Sequence, residues 1–305
     1  MTEALFLETA KREQQLQEEG IRRLNVSGVL RILGVSRNGY LAWKKRLPSD
    51  QELRKQRIKE RIQEIYDESH QNYGAPKITE ILRQEGEEIA EKTVGNYMRQ
   101  MGIKAQYIKP YVITTIDPDF SSQLKNLLDE QFNPTAPDEV WCSDITYIWT
   151  FEGFVYLTSI MDLFSRKIIA WVLSDTLEAK WVIKAVERAK EIRNVTKPLV
   201  MHSDRGIQYV CQDYVKATEG MNRSYSKKAY PWDNACIESF HALIKREWLN
   251  RFKICDYDHA YRLVFHYIEA FYNTVRIHSH CGYCSPNEYE QLYKESFEKL
   301  EKQAV

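Results

Sequence analysis

Three acidic residues most constrain how this chain can fold, because each belongs to a different structural pattern. Asp144 lies inside the β-branched and aromatic run Val140–Ile148, Asp204 ends the apolar run that begins at Leu199, and Glu238 lies early in a helical pattern. Long stretches of sequence separate the three residues. They can act together only if a fold gathers them, and the flanking patterns predict such a fold.

The residues around these acids predict an α/β architecture. Stretches rich in Val, Ile, Tyr and Phe predict strands in hairpin succession at residues 139–149, 154–163 and 167–173. Residues 176–194 predict a helix with one apolar side. The apolar run 199–203 is too short for a helix and predicts a buried parallel strand. That strand places Asp204 at a strand end, where open α/β sheets hold their sites.

Glu238 is predicted to lie on a helix together with one basic residue. Asp233 or Asn234 is a suitable N-cap for this helix, which is expected to end at about Asn250. Glu238 and Lys245 are seven residues apart and therefore share one helical face. One carboxylate and one cation are thus predicted to point the same way.

Three converging carboxylates suit phosphoryl transfer assisted by metal ions. Displacement at a phosphodiester uses two hard cations about 3.5–4 Å apart, and magnesium takes oxygen ligands while keeping several waters. For any single acid, a solvated or capping role is the commoner explanation. Asp162 also lies at a strand end and is interpreted as structural. The combination of Asp144, Asp204 and Glu238 is what favours a metal site.

Several stretches resemble the catalytic product of insertion sequence 3 family transposases, members of the retroviral-integrase superfamily. The matching stretches are Trp141–Tyr147, Met161–Arg166, His202–Tyr209, Asp233–Phe240 and Tyr272–His278. Upstream, three stretches resemble the family's helix-turn-helix segment: Tyr73–Ile78, Lys92–Val94 and Tyr97–Arg99. The resemblance extends from about residue 25 to residue 292, and its motifs occur in the family's order.

The resemblance implies an α/β fold with an RNase H-like integrase catalytic core, which is a mixed five-stranded sheet with flanking helices, preceded by an all-α helix-turn-helix region. It implies that Asp144, Asp204 and Glu238 form the DDE triad and hold two Mg²⁺ ions, for which Mn²⁺ can substitute. Lys245 is implied to contact end DNA. The implied activity is DNA transposition, by nicking that frees a 3′-hydroxyl and by strand transfer.

The implied partners follow from the same resemblance. They are the DNA of the element's terminal inverted repeats, the target DNA, further copies of the chain on that DNA, and the element's upstream DNA-binding product, to which the chain is often fused. A cytoplasmic chain that associates with the nucleoid when bound to DNA is expected.

Two departures from the family pattern keep other functions open. The stretch between Asp204 and Glu238 holds 33 residues, slightly fewer than is usual. Ala229 stands where a glycine is usual, and it would strain the approach to Glu238 if that position needs a positive φ. The alternatives are a catalytically impaired DNA-binding remnant or regulator, and a nuclease of the RNase H-like fold.

Two segments before the acids have the pattern of helix-turn-helix units. In residues 26–46, Gly34 marks the turn and Ser36 can cap the next helix, and residues 76–102 repeat the pattern with Gly86 in the turn region. A helical hairpin without DNA contact fits the pattern equally well, but a transposase core downstream favours DNA-end binding. Besides Lys245, the residues expected to contact DNA are Lys227, Lys228, Arg37, Lys44, Lys92 and Arg99.

These patterns divide the chain into six predicted regions. They are an N-terminal helix that docks on a partner or acts as a linker (1–24), a first helix-turn-helix (25–50), a helix plus second helix-turn-helix (51–105), a linker (106–138), the catalytic core (139–252) and a C-terminal helical region (253–305). In the last region, an apolar stripe predicts one long helix ending near Arg276. Arg276 and His278 either reach DNA or have a structural role.

Composition narrows the remaining possibilities. The net charge is zero, with 43 basic and 43 acidic residues, so charge alone does not indicate binding to nucleic acid. The longest run free of charged residues, Ile277–Asn287, is too short to cross a membrane. Cysteines in such a chain should be reduced. Cys281 and Cys284 lie beside His278 and His280, but this compressed spacing favours small apolar roles over a zinc site.

Overall fold

The computed structural model describes residues 2–20, 24–105, 124–195, 197–227 and 231–303. The chain forms two compact units, and their boundary between Arg61 and Ile62 falls inside one helix. Within the described ranges, no helix combines the length and the apolar character needed to span a bilayer.

The first unit is helical. Its elements are α1 (Thr2–Glu18), α2 (Val26–Ile32), α3 (Arg37–Lys45) and most of α4 (Asp50–Glu68). Phe6 of α1 packs on the buried Leu30 and Tyr40, with the Phe6 and Tyr40 rings 5.7 Å apart. Gly34 takes a positive φ of 68° in the turn, and Ser36 Oγ accepts a hydrogen bond from Gly39 N at the start of α3. The predicted turn and cap are confirmed.

The second unit begins with a helical hairpin that packs against the rest of the unit. Its helices are α5 (Ala75–Gln84) and α6 (Glu91–Gln100), and the turn between them contains Gly86 at a φ of 91°. Ile78 and Val94 are fully buried between the two helices. The hydroxyl of Tyr73 accepts a hydrogen bond from Ile277 N at 2.9 Å. This hairpin is therefore tied to the C-terminal part of the chain.

A mixed sheet of five strands forms the centre of the second unit, as the family resemblance implied. The strands are β1 (Val140–Thr150), β2 (Gly153–Asp162), β3 (Ile168–Ser174), β4 (Val200–Ser203) and β5 (Asn222–Tyr225), in the spatial order β3-β2-β1-β4-β5. The β1–β2 and β2–β3 pairs are antiparallel, whereas β1–β4 and β4–β5 are parallel. The sequence did not reveal β5, which is only four residues long.

The two faces of the sheet belong to different cores, because successive side chains of a strand point to opposite faces. Trp141 packs with α7 (Ala179–Arg193) on one face, together with residues of the short helices α8 (Ile207–Val210) and α9 (Gln212–Ala217). Cys142 packs on the other face with α10 (Ala235–Glu247) and α11 (Tyr257–Phe265). The face that carries Cys142 is the one that positions the candidate site.

The C-terminal region contains the long helix that was predicted to end near Arg276, but its last turns are π-helical. α11 ends at Phe265, and the chain continues directly as a π-helical stretch, His266–Tyr272. A final helix, α12, covers Pro286–Gln303. Directly after the π-helical stretch, the Asn273 side chain accepts from Ile168 N at 3.0 Å and donates to Ile168 O at 2.9 Å. Helical residues run without a break from Tyr257 to Tyr272, close to the predicted end near Arg276, whereas the extra residue of a π-helical turn is not visible in hydrophobic spacing.

Candidate active site

The register of two neighbouring strands places Asp144 and Asp204 side by side. Strands β1 and β4 run parallel and pair through Ser143 and Ser203, so the two acids are the next residues on adjacent strands. Adjacent strands lie about 4.8 Å apart. Asp144 continues in β1 opposite Ser159 of β2, whereas Asp204 lies just past the end of β4.

The side chain of Asp144 lies on the face of the sheet that α10 covers. Cys142 and Asp144 are two residues apart in β1 and therefore share a face, and Cys142 belongs to the same core as Ile237 of α10. His241 of α10 is buried, and its Nδ1 lies 3.3 Å from Asp144 Oδ2. A direct contact thus fixes α10 over this carboxylate.

Glu238 lies one helical turn before His241 and comes close to both aspartates. Burial raises the pKa of the Glu238 carboxyl above its usual range, and the negative charges of Asp144 and Asp204 raise it further. The three acids selected from the sequence therefore lie within electrostatic reach of one another. Their mutual repulsion would be relieved by a bound cation.

His241 is a residue of this site that the sequence analysis missed. Besides its contact with Asp144, its Nε2 lies 3.3 Å from Ser159 Oγ. With the proton on Nδ1, the ring donates to Asp144 and accepts from Ser159, which fixes the carboxylate relative to β2. The signal was present in the spacing, since His241 lies three residues after Glu238 and four before Lys245 on the same helical face.

Lys245 follows two turns after Glu238 and lies beside an exposed aromatic ring. Its Nζ lies 4.5 Å from the centroid of the Tyr147 ring, and Tyr147 is 52 % exposed. Burial lowers the pKa of Lys245, and Asp144 acts in the opposite direction. The predicted placement of Glu238 and Lys245 on one side of the helix agrees with these contacts.

The turn after Asp204 depends on a glycine. Gly206 N donates to Asp204 Oδ1 at 2.9 Å. A Cβ atom at Gly206 would lie 3.1 Å from Asp204 Oδ1 and 3.1 Å from Gln208 Oε1. The absence of a side chain lets this backbone approach the carboxylate closely enough to orient it.

The approach to Glu238 differs from the sequence prediction. Asn234 occupies the N-cap position of α10, but its side chain makes no capping hydrogen bond. The Asp233 side chain instead accepts from Lys227 N at 2.6 Å and from Asn126 Nδ2 at 2.9 Å. The predicted side-chain cap is therefore wrong, because Asp233 secures the preceding loop. Lys228 and Ala229 lie outside the described residues.

The other residues expected to contact DNA lie mostly at the surface. Lys227 forms an ion pair with Asp129 at 2.7 Å, and Lys44 pairs with Glu13 at 2.7 Å. Arg37 in α3 is exposed, and so are Lys92 and Arg99 in α6. Their contact with DNA stays a prediction.

Arg276 and His278 are buried, which favours the structural interpretation of both. Arg276 forms two hydrogen bonds to Glu247, and Cys281 Sγ donates to Ser165 O. Burial, the largest cause, and the charge of Arg276 hold the pKa of His278 far below its usual range. Across the described part of the chain, His, Cys, Asp and Glu side chains form no group of three or more spaced to hold one ion.

The donor set nevertheless fits magnesium in its chemistry. All three acids offer carboxylate oxygens, the ligand type that magnesium takes, and magnesium usually needs only one or two protein carboxylates because it keeps several waters. After burial, the charges of Asp144 and Asp204 contribute to the raised pKa of Glu238, so negative charges are gathered at this place. Asp144 and Asp204 are the residues best placed to hold an ion between two strands.

The chain is similar to proteins of known families. Two families of integrase core domains match residues 134–231 and 219–286, and a family of helix-turn-helix-like domains matches residues 53–111. The transposase for insertion sequence element IS904 of Lactococcus lactis is 35% identical over 248 residues, which is 81% of this chain and 98% of that protein. Transposase InsF for insertion sequence IS3A of Escherichia coli is 32% identical over 271 residues, which is 87% of this chain and 94% of that protein.

The chain also has weak similarity to solved structures. The catalytic core domain of HTLV-2 integrase in complex with magnesium is 15% identical and superposes with a TM-score of 0.39, covering 51% of this chain and 98% of that one.

Proposed function

This chain belongs to the IS3 family of insertion-sequence transposases, and we propose that it nicks the ends of its element in a magnesium-dependent reaction and directs the freed 3′-hydroxyl at another phosphodiester, where it displaces an oxygen of the cut strand. The observation that carries the proposal is the approach of three carboxylates from β1, the end of β4 and α10, since burial and, after it, the charges of Asp144 and Asp204 raise the pKa of Glu238.

Each side chain has a distinct task in this reaction. Two bound magnesium ions would activate the attacking oxygen and stabilise the leaving oxygen. Asp144 and Asp204, on adjacent strands, would hold these ions, and Glu238 would add a further carboxylate. His241 orients the Asp144 carboxylate. Lys245 supplies a positive charge to a nearby DNA phosphate.

The proposal assigns no covalent intermediate between protein and DNA. The attacking group is water in the nicking step and the DNA 3′-hydroxyl in the transfer step, so no serine or tyrosine nucleophile is needed. Because both steps displace an oxygen at phosphorus, one arrangement of acids serves both.

The partners in this proposal are the element's terminal inverted repeats and a target duplex. Lys227, Lys228, Arg37, Lys44, Lys92 and Arg99 contact the DNA. Several copies of the chain assemble on it, and the element's upstream DNA-binding product acts with them or is fused to them. The reaction takes place on bacterial DNA in the cytoplasm.

Labelled DNA carrying the ends of the chain's own element tests the proposal. With Mg²⁺ or Mn²⁺, we expect end-specific nicking followed by joining, read on denaturing gels. Asp144→Asn should bind the same DNA and lower the rates of nicking and joining by at least about 100-fold. Loss of a residue that only orients a metal ligand costs up to about 100-fold, and loss of the ligand itself should cost no less. Asp213→Asn, which changes an exposed acid on α9, is the matched control.

The outcomes separate the alternatives. Cutting without preference for element ends would indicate a nuclease, and binding without any chemistry would indicate an impaired DNA-binding remnant or regulator. If Asp144→Asn joined DNA as well as the wild type, the assignment of the acids would be wrong.

A further inference from the structure

A second candidate site lies on the side of α10 that faces away from the acids. A cavity of about 360 Å³ opens between α5, the start of α10 and the segment after the π-helical stretch. Ser239 and Leu243 line it, and they lie about 150° around the helix from the stripe formed by Glu238, His241 and Lys245. No residue of the acidic site lines this cavity.

Lys77 of α5 gives the cavity an unusual charge. The Lys77 side chain lies mostly inside the protein, with its Nζ 4.6 Å from the centroid of the Tyr73 ring. Within the described residues, no carboxylate forms an ion pair with it. Burial and, secondarily, the charge of Arg276 lower the pKa of Lys77 to about 7. A buried ammonium without an acidic partner is costly to fold.

The nearby carboxylate is already committed to other groups. Glu247 accepts from Arg276 Nε at 2.8 Å and from Arg276 Nη2 at 2.7 Å, and it also accepts from the Tyr267 hydroxyl at 2.8 Å. It therefore pairs with Arg276, and it acts on Lys77 only through space, without an ion pair.

Arg166 adds a further cation to the same cavity. Its guanidinium donates to the neutral carbonyl oxygens of Phe132 and Leu163 and to Asn133. Burial lowers the pKa of His278 and of His280, so both imidazoles are neutral near pH 7. The lining thus carries three permanent or titratable cations, Lys77, Arg166 and Arg276, against the single carboxylate Glu247 behind it.

We propose that this cavity binds a backbone phosphate of a DNA strand. An anion beside Lys77 would supply the missing counter-charge, and lysine binds phosphate as a compact point charge. The exposed residues Ser239 and Ser279 lie at the rim, so the cavity is open to a strand that passes along the surface.

DNA is the preferred source of the phosphate because of where the cavity lies. One wall is α5, which falls in the helix-turn-helix-like region 53–111, and the other is α10, which carries Glu238. A strand held here would be held between the region expected to recognise DNA and the helix expected to cut it. This choice of DNA rests on the proposed function, whereas the positive charge of the cavity does not.

The salt dependence of binding tests the proposal on the full-length protein without magnesium. Each phosphate contact contributes about 0.9 to the slope of log K against log salt concentration. Lys77→Met should therefore make the slope shallower by about 0.9. The affinity of the variant relative to wild type should then be about eightfold lower at 0.1 M salt than at 1 M salt. Lys216→Met, which removes a surface lysine whose side chain is 76% exposed, is the matched control and should behave more like wild type.

Two additions keep the test decisive. Lys77→Met removes a buried charge without an acidic partner, so we expect it to fold at least as stably as wild type. If it does not fold, Ser239→Glu places a negative charge at the exposed rim and should also weaken binding and flatten the slope. A scan with single neutral methylphosphonates should find one position that weakens binding of wild type and not of Lys77→Met.

The possible results can be assigned without overlap. Equal slopes for wild type, Lys77→Met and Ser239→Glu would overturn the proposal. Stabilisation of wild type but not Lys77→Met by inorganic phosphate, with unchanged DNA slopes, would mean that the cavity takes a free anion and would also overturn it. Slopes are measured on element-end and scrambled DNA, because phosphate contacts are independent of sequence. Failure of the proposed function would appear separately, as equal affinity for both DNAs and no joining.

Discussion

The ion pair between Glu247 and Arg276 gives a quantitative prediction about what holds the second unit together. Both residues are 5 % exposed, and Arg276 makes two hydrogen bonds to the carboxylate. Glu247→Gln keeps the shape but leaves the buried guanidinium without a counter-charge, which costs about 3–5 kcal/mol. For a unit of this size, about 2–4 °C of melting temperature is lost per kcal/mol, so we expect a decrease of about 6–20 °C.

Tryptophan fluorescence during heating at pH 7 reports mainly on the second structural unit. Of the seven tryptophans, only Trp43 lies before Ile62. The matched control is Glu178→Gln. It breaks a pair with Lys180 in which both side chains are more than half exposed, so the melting temperature should change much less than in Glu247→Gln.

A double variant separates the cost of an unpaired charge from a loss of packing. Glu247→Leu combined with Arg276→Met removes both charges, and it should recover most of the stability, since apolar replacement of a buried pair is often neutral. A melting temperature for Glu247→Gln no lower than that of Glu178→Gln would show that the unpaired guanidinium costs little. A double variant as unstable as Glu247→Gln would show that the loss comes from packing and not from charge.

Three further outcomes are expected. Burial alone would raise the pKa of Glu247 and Glu290, but arginine contacts hold both below the usual 4.5. Their contribution to the free energy of unfolding should be complete above about pH 5 and should be lost as the pH falls through the lowered pKa values. Urea unfolding from pH 3 to 7 should show this loss, and the loss should be smaller in Glu247→Gln. Gly206→Ala should push the Asp204 carboxylate aside and slow DNA joining about tenfold or more while changing the melting temperature little, whereas equal joining rates would contradict the close approach. Millimolar Mg²⁺ should raise the melting temperature of wild type but not of Asp144→Asn, and an equal rise in both would place the ion elsewhere.

Local sequence patterns were sufficient for the parts of the fold that depend on periodicity. The apolar run before Asp204 predicted a buried parallel strand, and β4 pairs in parallel with β1. The interpretation of Asp162 as structural is confirmed, because its carboxylate accepts from Asp138 N and Phe164 N at 2.9 Å each. Signals of this kind lie within a few residues of the feature they predict.

Features that depend on distant partners were not predictable in this way. Asp233 has the sequence signature of a cap, but it bonds to Asn126, which lies 107 residues earlier. Arg276 was as consistent with a DNA contact as with a structural role until Glu247 was seen beside it. The role of His241 likewise depends on β1 and β2 lying beneath α10. Such contacts are set by tertiary packing, and local sequence patterns do not predict them.

The side chain of Asn273 bears on how copies of this chain can meet. β3 is at one edge of the sheet, and an unprotected edge can pair with a strand from another molecule. Asn273 bonds both backbone groups of Ile168 as a neighbouring strand would, Arg188 donates to Trp171 O, and the Tyr257 hydroxyl donates to Leu173 O. Because these groups are occupied by the chain's own side chains, a continuous intermolecular sheet cannot form at β3 without displacing them. In the assembly on DNA proposed above, the copies would therefore associate through surfaces other than the β3 edge.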